Sequence, residues 1–148
     1  MKNPKALLRQ SVRSDAAGTW RVRYAVRENT LTPGRISNDE WIRQIEVTGR
    51  GWVVEVDGEI VAFAIGDASS ASIWALFVDP AHEGQGYGRA LHDEMLAWLW
   101  AQGLRTLWLH TGPGTRAEGF YRRLGWTGTA LTEHGELHLE MTNPHLKF

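Results

Sequence analysis

The chain has 148 residues, of which 43% are hydrophobic and 22% charged, and its formal net charge is −1. This length and composition predict one soluble globular domain over residues 1–148 and exclude a disordered chain. Because 16 basic residues are balanced by 17 acidic ones without a basic block, and no long apolar run occurs, neither a nucleic-acid partner nor a membrane span is expected.

The absence of cysteine excludes disulfides, thiolate metal sites and a cysteine nucleophile. The sequence also lacks a G-x-S-x-G serine elbow, so any group transfer is expected to proceed directly between two bound reactants. The residues after Met1 form too short an apolar run for a signal peptide, and we therefore expect a cytoplasmic protein.

The first half of the chain predicts a strand, two helices and then three strands. The strand is expected over 6–12, a helix begins at Ser14 or Asp15, and the capping box Ser37–Glu40 opens a second helix. Asp57-Gly58 between two β-branched runs predicts a hairpin of 52–56 and 60–65. An apolar run over 73–78 predicts a strand that is buried on both faces.

The second half predicts a helix, a strand, a helix and a hairpin. The first helix has an apolar face and ends at Gly103, and a strand over 106–110 follows. The capping box Thr115–Glu118 opens the next helix, and the runs 126–131 and 136–141 form the hairpin. The order β-α-α-β-β-β-α-β-α-β-β predicts an α/β (α+β) fold with a mixed, mostly antiparallel central sheet and helices on both faces.

Glycines alternate at 84, 86 and 88 between the strand over 73–78 and the helix after it. Backbone angles closed to other residues would let successive N–H groups here converge on a phosphate at the helix N-terminus. The spacing excludes the Walker pattern and the dinucleotide pattern G-x-G-x-x-G. A plain glycine turn before a helix is the alternative.

Two segments resemble the GNAT superfamily of N-acetyltransferases. The loop Glu83–Gly88 is similar to the family's acyl-CoA loop, and Phe120–Trp126 is similar to its F-Y-x-x-x-G-F segment. The resemblance implies acetyl-CoA as co-substrate and a strand that splays from its neighbour. The exposed strand edge would pair with pantetheine, and the backbone N–H of Phe77 or Val78 would bind the oxyanion. The diphosphate would be held by the N–H groups of Gly84, Gln85, Gly86, Tyr87, Gly88 and Arg89.

Three positions depart from the family's pattern. Glu83 stands where Gln or Arg is usual. Gly114 replaces a cofactor-binding Asn, whose contact is then lost or passes to Thr111 or Thr115. Trp74 stands where many members carry a Glu, so proton removal must use another group or a water chain.

Acetyl transfer to an amine needs a proton acceptor, since an amine of pKa near 10.4 is a free base only about once in 10³ molecules at neutral pH. His110, at a strand end, is the candidate base, although a lone histidine there is more often structural. Glu28 and Glu118 are further candidates. The resemblance places Tyr121 beside the cofactor sulfur, where its phenol would protonate the leaving thiolate; a tyrosine that only packs its ring is the alternative.

Other conspicuous side chains have structural interpretations. Most of the eight tryptophans are expected in the core, although Trp41, Trp52 and Trp74 are candidates for an acceptor pocket. His134 and His138 lie on the predicted hairpin without a third ligand, so no metal is expected.

The favoured function is an acetyl-CoA-dependent N-acetyltransferase that acts on a primary amine of a small molecule or peptide by direct transfer in a ternary complex. A non-catalytic acyl-CoA sensor or interaction domain is the alternative, and a nucleotide-binding module of another fold is a third hypothesis. The sequence does not identify the amine. By family analogy a homodimer through the C-terminal strands is expected.

Overall fold

The computed structural model describes residues 3–146, in which six strands and four α-helices form one sheet with two helical layers. In chain order the elements are β1 (Ala6–Gln10), α1 (Ala16–Ala25), α2 (Asn38–Arg43), β2 (Gly49–Val56), β3 (Glu59–Asp67), β4 (Ser72–Val78), α3 (Tyr87–Ala101), β5 (Thr106–Thr111), α4 (Arg116–Arg123) and β6 (Leu137–Thr142). Short 3-10 turns precede α1 and follow β4, and a π-helical turn follows α2. None of the helices within this range combines the length and apolar character needed to cross a bilayer.

The strands lie in the sheet in the same order as in the chain, β1-β2-β3-β4-β5-β6. Every neighbouring pair is antiparallel except β4 and β5, which are parallel and joined through α3. The prediction of a mixed, mostly antiparallel sheet is therefore confirmed. A parallel step requires a long crossover, and this one carries the glycine loop and α3 across one face of the sheet.

Both faces of the sheet are apolar because successive strand residues point to opposite sides. On one face α1 and α2 pack over a cluster that contains Val22, Trp41, Phe63 and Ile65. On the other face α3 and α4 pack over a larger cluster that contains Leu91, Met95, Tyr121 and Leu139. Helices on both faces were predicted, and the two clusters confirm them.

The predicted local signals form as expected. Asp57 and Gly58 have φ of 51° and 80° and form a two-residue turn between β2 and β3. The Ser37 hydroxyl accepts the Glu40 N–H at the start of α2. The Thr115 hydroxyl accepts the Glu118 N–H at the start of α4. These features depend on neighbours in sequence, which is why the sequence predicts them.

The first predicted strand is two residues too long. β1 ends at Gln10, because the Asp15 carboxylate accepts the Val12 N–H at 2.8 Å and turns the chain away from β2. The same carboxylate binds both terminal nitrogens of Arg9 at 2.8 and 2.9 Å. Asp15 therefore makes no side-chain cap on α1, although it precedes the helix as predicted.

The predicted strand over 126–131 is interrupted. Only Thr127 and Leu131 form bridges, to Glu140 and Leu137, and β6 alone is a continuous strand of that hairpin. Gly128 has a φ of 144°, and a Cβ at this residue would lie 2.4 Å from the carbonyl oxygen of His138. The segment thus crosses too close to β6 for regular pairing.

His92 of α3 is a buried histidine, 3% exposed, whose Nε2 accepts the indole N–H of Trp126 at 3.0 Å. Burial lowers the pKa of His92, although Asp93 opposes this shift. The unfolded chain therefore binds a proton at higher pH than the folded one. The stability that depends on a neutral His92 is fully present above the unfolded pKa of about 6.5 and is lost as pH falls toward the folded pKa.

We expect His92→Gln to remove part of the acid sensitivity of folding. The measurement is the free energy of unfolding in urea between about pH 5 and about pH 8 for both proteins. The wild type should lose more stability than the variant as pH falls. Parallel profiles would show that His92 is not linked to folding.

Candidate active site

The parallel strands β4 and β5 touch at one end and then separate. Within the described residues, β4 and β5 pair at Ser72 and Trp108. The backbone N–H of Trp108 also donates to the Ala71 carbonyl at 3.0 Å. Beyond that pair β4 continues to Val78 and β5 to Thr111 without pairing. We call this gap the wedge.

A β-bulge explains why β4 leaves β5. Ile65 pairs with Ala75 and Gly66 pairs with Ile73, so Trp74 is an extra residue on β4. A bulge bends its strand and increases the local twist. It comes directly after the contact with β5 and opens the wedge. β4 consequently is not buried on both faces as predicted: Trp74 and residues 76–78 are partly exposed.

The backbone of β4 presents selected N–H groups to the wedge. Asp79 donates its N–H to the Val61 carbonyl on β3. Because N–H directions alternate along a strand, Phe77 also points its N–H toward β3, and the N–H groups of Leu76 and Val78 point into the wedge. Of the two oxyanion donors left open by the sequence, the geometry favours Val78.

A cleft of about 940 Å³ lies over the wedge. Its walls come from both sides of the sheet, so we distinguish two halves. The α1–α2 half includes Arg23, Arg27, Trp74, Phe77, Trp108 and His110, and the α3–α4 half includes Glu83, Arg116, Ala117 and Tyr121.

The glycine loop leads directly into α3. Gly84 and Gly86 have φ of 76° and 86°, and Gly86 is the N-cap residue. The first bond of the helix runs from the Ala90 N–H to the Gly86 carbonyl, so the N–H groups of Tyr87, Gly88 and Arg89 have no partner within the helix. Such an end attracts anions.

One expectation for this loop needs correction. Gly88 has no positive φ and belongs to the first turn of α3, where Val78 and Phe120 flank it. The Tyr87 side chain is buried in the core, so only the backbone N–H of Tyr87 is left for binding, as predicted. Glu83 lines the cleft of about 940 Å³, whereas residues 84–89 do not.

The unusual acid of the loop is paired. The Glu83 carboxylate binds the Arg116 guanidinium, and the Glu28 carboxylate accepts the backbone N–H of Arg116 at 3.2 Å. Arg116 thus links the loop, α4 and the segment after α1. The negative charge of Glu83 is offset where an anion would otherwise be repelled.

Tyr121 lies in the α3–α4 half and is 7% exposed. Its ring packs at an angle on Phe120 and Trp126, with centroids 5.2 and 6.0 Å away. Its hydroxyl has no hydrogen-bond partner among residues 3–146, and the residue lines the cleft. Burial raises the pKa of the phenol, so it stays protonated near neutral pH.

His110 lies in the α1–α2 half and belongs to a chain of hydrogen bonds. His110 Nε2 is 3.0 Å from His138 Nδ1, and His138 Nε2 is 2.9 Å from Glu140 Oε1. The Glu140 carboxylate only accepts, so His138 carries its proton on Nε2 and His110 donates from Nε2. The lone pair of His110 is then on Nδ1. Burial and the charge of His138 lower the His110 pKa, and Glu136 opposes them.

Several candidates do not reach the cleft. Trp41 and Trp52 are buried in the core, and only Trp74 of the three predicted tryptophans lines the cleft. The Glu118 carboxylate is occupied by the Gly114 N–H and by Arg122 Nε, both at 2.7 Å, which lowers its pKa. This makes Glu118 a poor base.

Of the two residues expected to replace the missing Asn, Thr111 lines the cleft. The Thr115 hydroxyl is occupied, because it donates to the Gly112 carbonyl at 2.7 Å and accepts the Glu118 N–H. Sequence reasoning missed Arg23 and Trp108, since helix and strand periodicity do not tell which polar or aromatic side chains meet across a cleft.

Comparisons with known proteins agree with this geometry. The sequence model described as "Acetyltransferase (GNAT) family" matches residues 10–126. A mycothiol acetyltransferase of Beutenbergia cavernae is 36% identical over 86 residues, which cover 54% of this chain and 29% of that protein. A ribosomal-protein alanine N-acetyltransferase of Haemophilus ducreyi is 37% identical over 78 residues, which cover 51% of this chain and 54% of that protein. The matches thus span at most about half the length of these relatives.

Solved structures share the fold over nearly the whole chain. The ribosomal-protein alanine N-acetyltransferase from Escherichia coli has a TM-score of 0.71 at 21% identity and covers 97% of this chain and 99% of its own. An N-acetyltransferase from Thermoplasma acidophilum in complex with coenzyme A has a TM-score of 0.72 at 15% identity and covers 93% of this chain and 98% of its own. At these identities the likeness shows a common fold.

Proposed function

We propose that this chain, which belongs to the GNAT family of acetyltransferases, is an acetyl-CoA-dependent N-acetyltransferase that acetylates a primary amine by direct transfer in a ternary complex. The observation that carries the proposal is the wedge, where the Val78 N–H lies between Tyr121 on one side of the sheet and His110 on the other. The thioester of acetyl-CoA would then lie on the Tyr121 side, and the amine would approach its carbonyl carbon from the His110 side.

The binding of acetyl-CoA would use main-chain groups. The N–H groups at the start of α3 would hold the diphosphate, as they have no helical partner and carry the positive end of the helix dipole. The open edge of β4 at Leu76 and Val78 would pair with the pantetheine arm as an added strand. The pairing of Glu83 with Arg116 removes the electrostatic objection to an acid in this loop.

His110 would accept the proton of the attacking amine. Its lowered pKa keeps the imidazole neutral at pH 7, and the hydrogen-bond chain through His138 to Glu140 leaves the Nδ1 lone pair free. The proton on Nε2 is held by His138, so His138 and Glu140 act as positioning residues. No glutamate at position 74 is then needed.

The Val78 N–H would stabilise the oxyanion as the amine adds to the carbonyl carbon. Tyr121 would donate its phenolic proton to the sulfur as the C–S bond breaks, which yields the amide and free coenzyme A. Burial raises the pKa of this phenol, so it carries its proton in the resting site.

The proposal is tested by measuring acetyl-CoA binding by calorimetry and coenzyme A release with a panel of amines. Gly86→Ala should weaken acetyl-CoA binding about 10- to 100-fold, through an altered helix start and lost charge-assisted hydrogen bonds. Gly103→Ala is the matched control, because Gly103 has a φ of 81° just past the other end of α3. Both variants should lose about 1–2 kcal/mol of stability from left-handed strain.

The results separate the functions considered. Binding of acetyl-CoA without release by any amine would favour a non-catalytic acyl-CoA sensor. Binding of ATP or NAD in place of acetyl-CoA would overturn the proposal, as would equal acetyl-CoA affinity for the two glycine variants.

A further inference from the structure

Arg23 of α1 carries an uncompensated charge in the cleft wall. Its Nη1 is buried without a hydrogen-bond partner, and no carboxylate among residues 3–146 lies within ion-pair distance of it. Six arginines of the described chain pair with acids: Arg9, Arg13, Arg21, Arg89, Arg116 and Arg122. Arg23 differs from the other arginines among residues 3–146 because one of its nitrogens is buried without a partner, and its side chain lines the cleft.

The position of Arg23 is fixed by an aromatic contact. Its guanidinium carbon lies 4.1 Å from the centroid of the Phe77 ring. This cation–π contact orients the guanidinium but does not neutralise its charge. Partial burial also lowers the Arg23 pKa, which reflects the cost of holding a cation there without a counterion. An anion that enters the cleft removes that cost.

The charges around Arg23 favour an anion. Arg27 and Arg35 also line this half of the cleft. Of the acids that line the cleft, Glu83 pairs with the Arg116 guanidinium, whereas Glu28 accepts only the backbone N–H of Arg116, which leaves Glu28 and Glu136. Arg23, Arg27 and Arg35 outnumber these two carboxylates, so the charge left in the cleft wall is positive.

We infer that the acceptor amine carries a carboxylate, and that Arg23 binds this carboxylate in the α1–α2 half of the cleft. The inference rests on the proposed acetyltransferase function and names its substrate class. Guanidinium geometry matches the two oxygens of a carboxylate.

The position of Arg23 beside the proposed oxyanion donor limits the size of the acceptor. Arg23 stacks on the side chain of Phe77, and Val78, the next residue, supplies the proposed oxyanion donor. A carboxylate on Arg23 would thus lie in the same cleft as the reacting carbonyl, beside Phe77. This proximity favours a small molecule that bears both groups, namely a free amino acid.

The experiment compares amino acids with their carboxamides and their decarboxylated amines in the coenzyme A release assay. The wild type should prefer the amino acids. Arg23→Gln should raise KM for amino acids about 10- to 100-fold and leave KM for the carboxamides within about twofold. Arg21→Gln is the matched control, since Arg21 lies on the same helix but binds Glu59 and Ile60 away from the cleft. It should keep the wild-type preference.

Equal use of amino acids and carboxamides would overturn the inference and leave the proposed function standing. Preference for a peptide amine over every free amino acid would also overturn it. A loss of acetyl-CoA affinity in Arg23→Gln would instead place Arg23 in cofactor binding.

A binding measurement tests the inference without turnover. Calorimetry with N-acetyl amino acids, the expected products, should show binding to the wild type that Arg23→Gln weakens and that the N-acetyl carboxamides lack. Absence of any such difference overturns the carboxylate site even if no acetyl transfer is found, and its presence supports the site independently of catalysis.

Discussion

Tyr121→Phe is expected to lower kcat for acetyl transfer by about 10²- to 10³-fold, because general acid catalysis of this kind contributes about 10²- to 10⁴-fold. The phenylalanine ring keeps the packing on Phe120 and Trp126 and removes only the hydroxyl. The affinity for acetyl-CoA should therefore stay within about threefold of the wild type. Steady-state rates and calorimetry measure the two effects separately.

Tyr87→Phe provides the control for this variant. Tyr87 is also a buried tyrosine, 2% exposed in the same core cluster, but it does not line the cleft. It should retain wild-type kcat. If Tyr121→Phe is as active as Tyr87→Phe, the phenol does not act as the acid and its role is packing. In that case water protonates the leaving thiolate, or the thiolate leaves without a proton.

His110→Gln is expected to lower kcat/KM by about 10²-fold or more at neutral pH, through loss of the proton acceptor. The wild type should also lose activity in acid. Because the His110 pKa lies below its ordinary value, activity is complete at neutral pH and falls only as pH drops through the folded pKa. In His110→Gln that acidic limb of the kcat/KM profile should disappear.

The acidic neighbour of His110 should move the same limb. Glu136→Gln removes a negative charge that raises the His110 pKa, and should therefore shift the limb to lower pH. A limb that stays in place in Glu136→Gln, or that persists in His110→Gln, would assign the titration to another group. This shift distinguishes a base from a histidine that only supports the sheet.

Much of the chain could be interpreted from local patterns. The turn at Asp57-Gly58, the caps at Ser37 and Thr115 and the glycine loop depend on residues adjacent in sequence, so composition and spacing suffice to predict them. The prediction failed where distant strands interfere: Gly128 crosses β6 too closely for a regular strand, and no local pattern marks that approach.

The order of the elements, the loop before α3 and the placement of Tyr121 on an amphipathic helix were determined by the sequence itself, because each follows from the periodicity or conformational freedom of neighbouring residues. Tertiary structure alone decided three features of the site: the bulge at Trp74 that opens the wedge, the contact of His110 with His138, and the stacking of Arg23 on Phe77. Each depends on the register or packing of elements far apart in the chain, which no short-range pattern specifies.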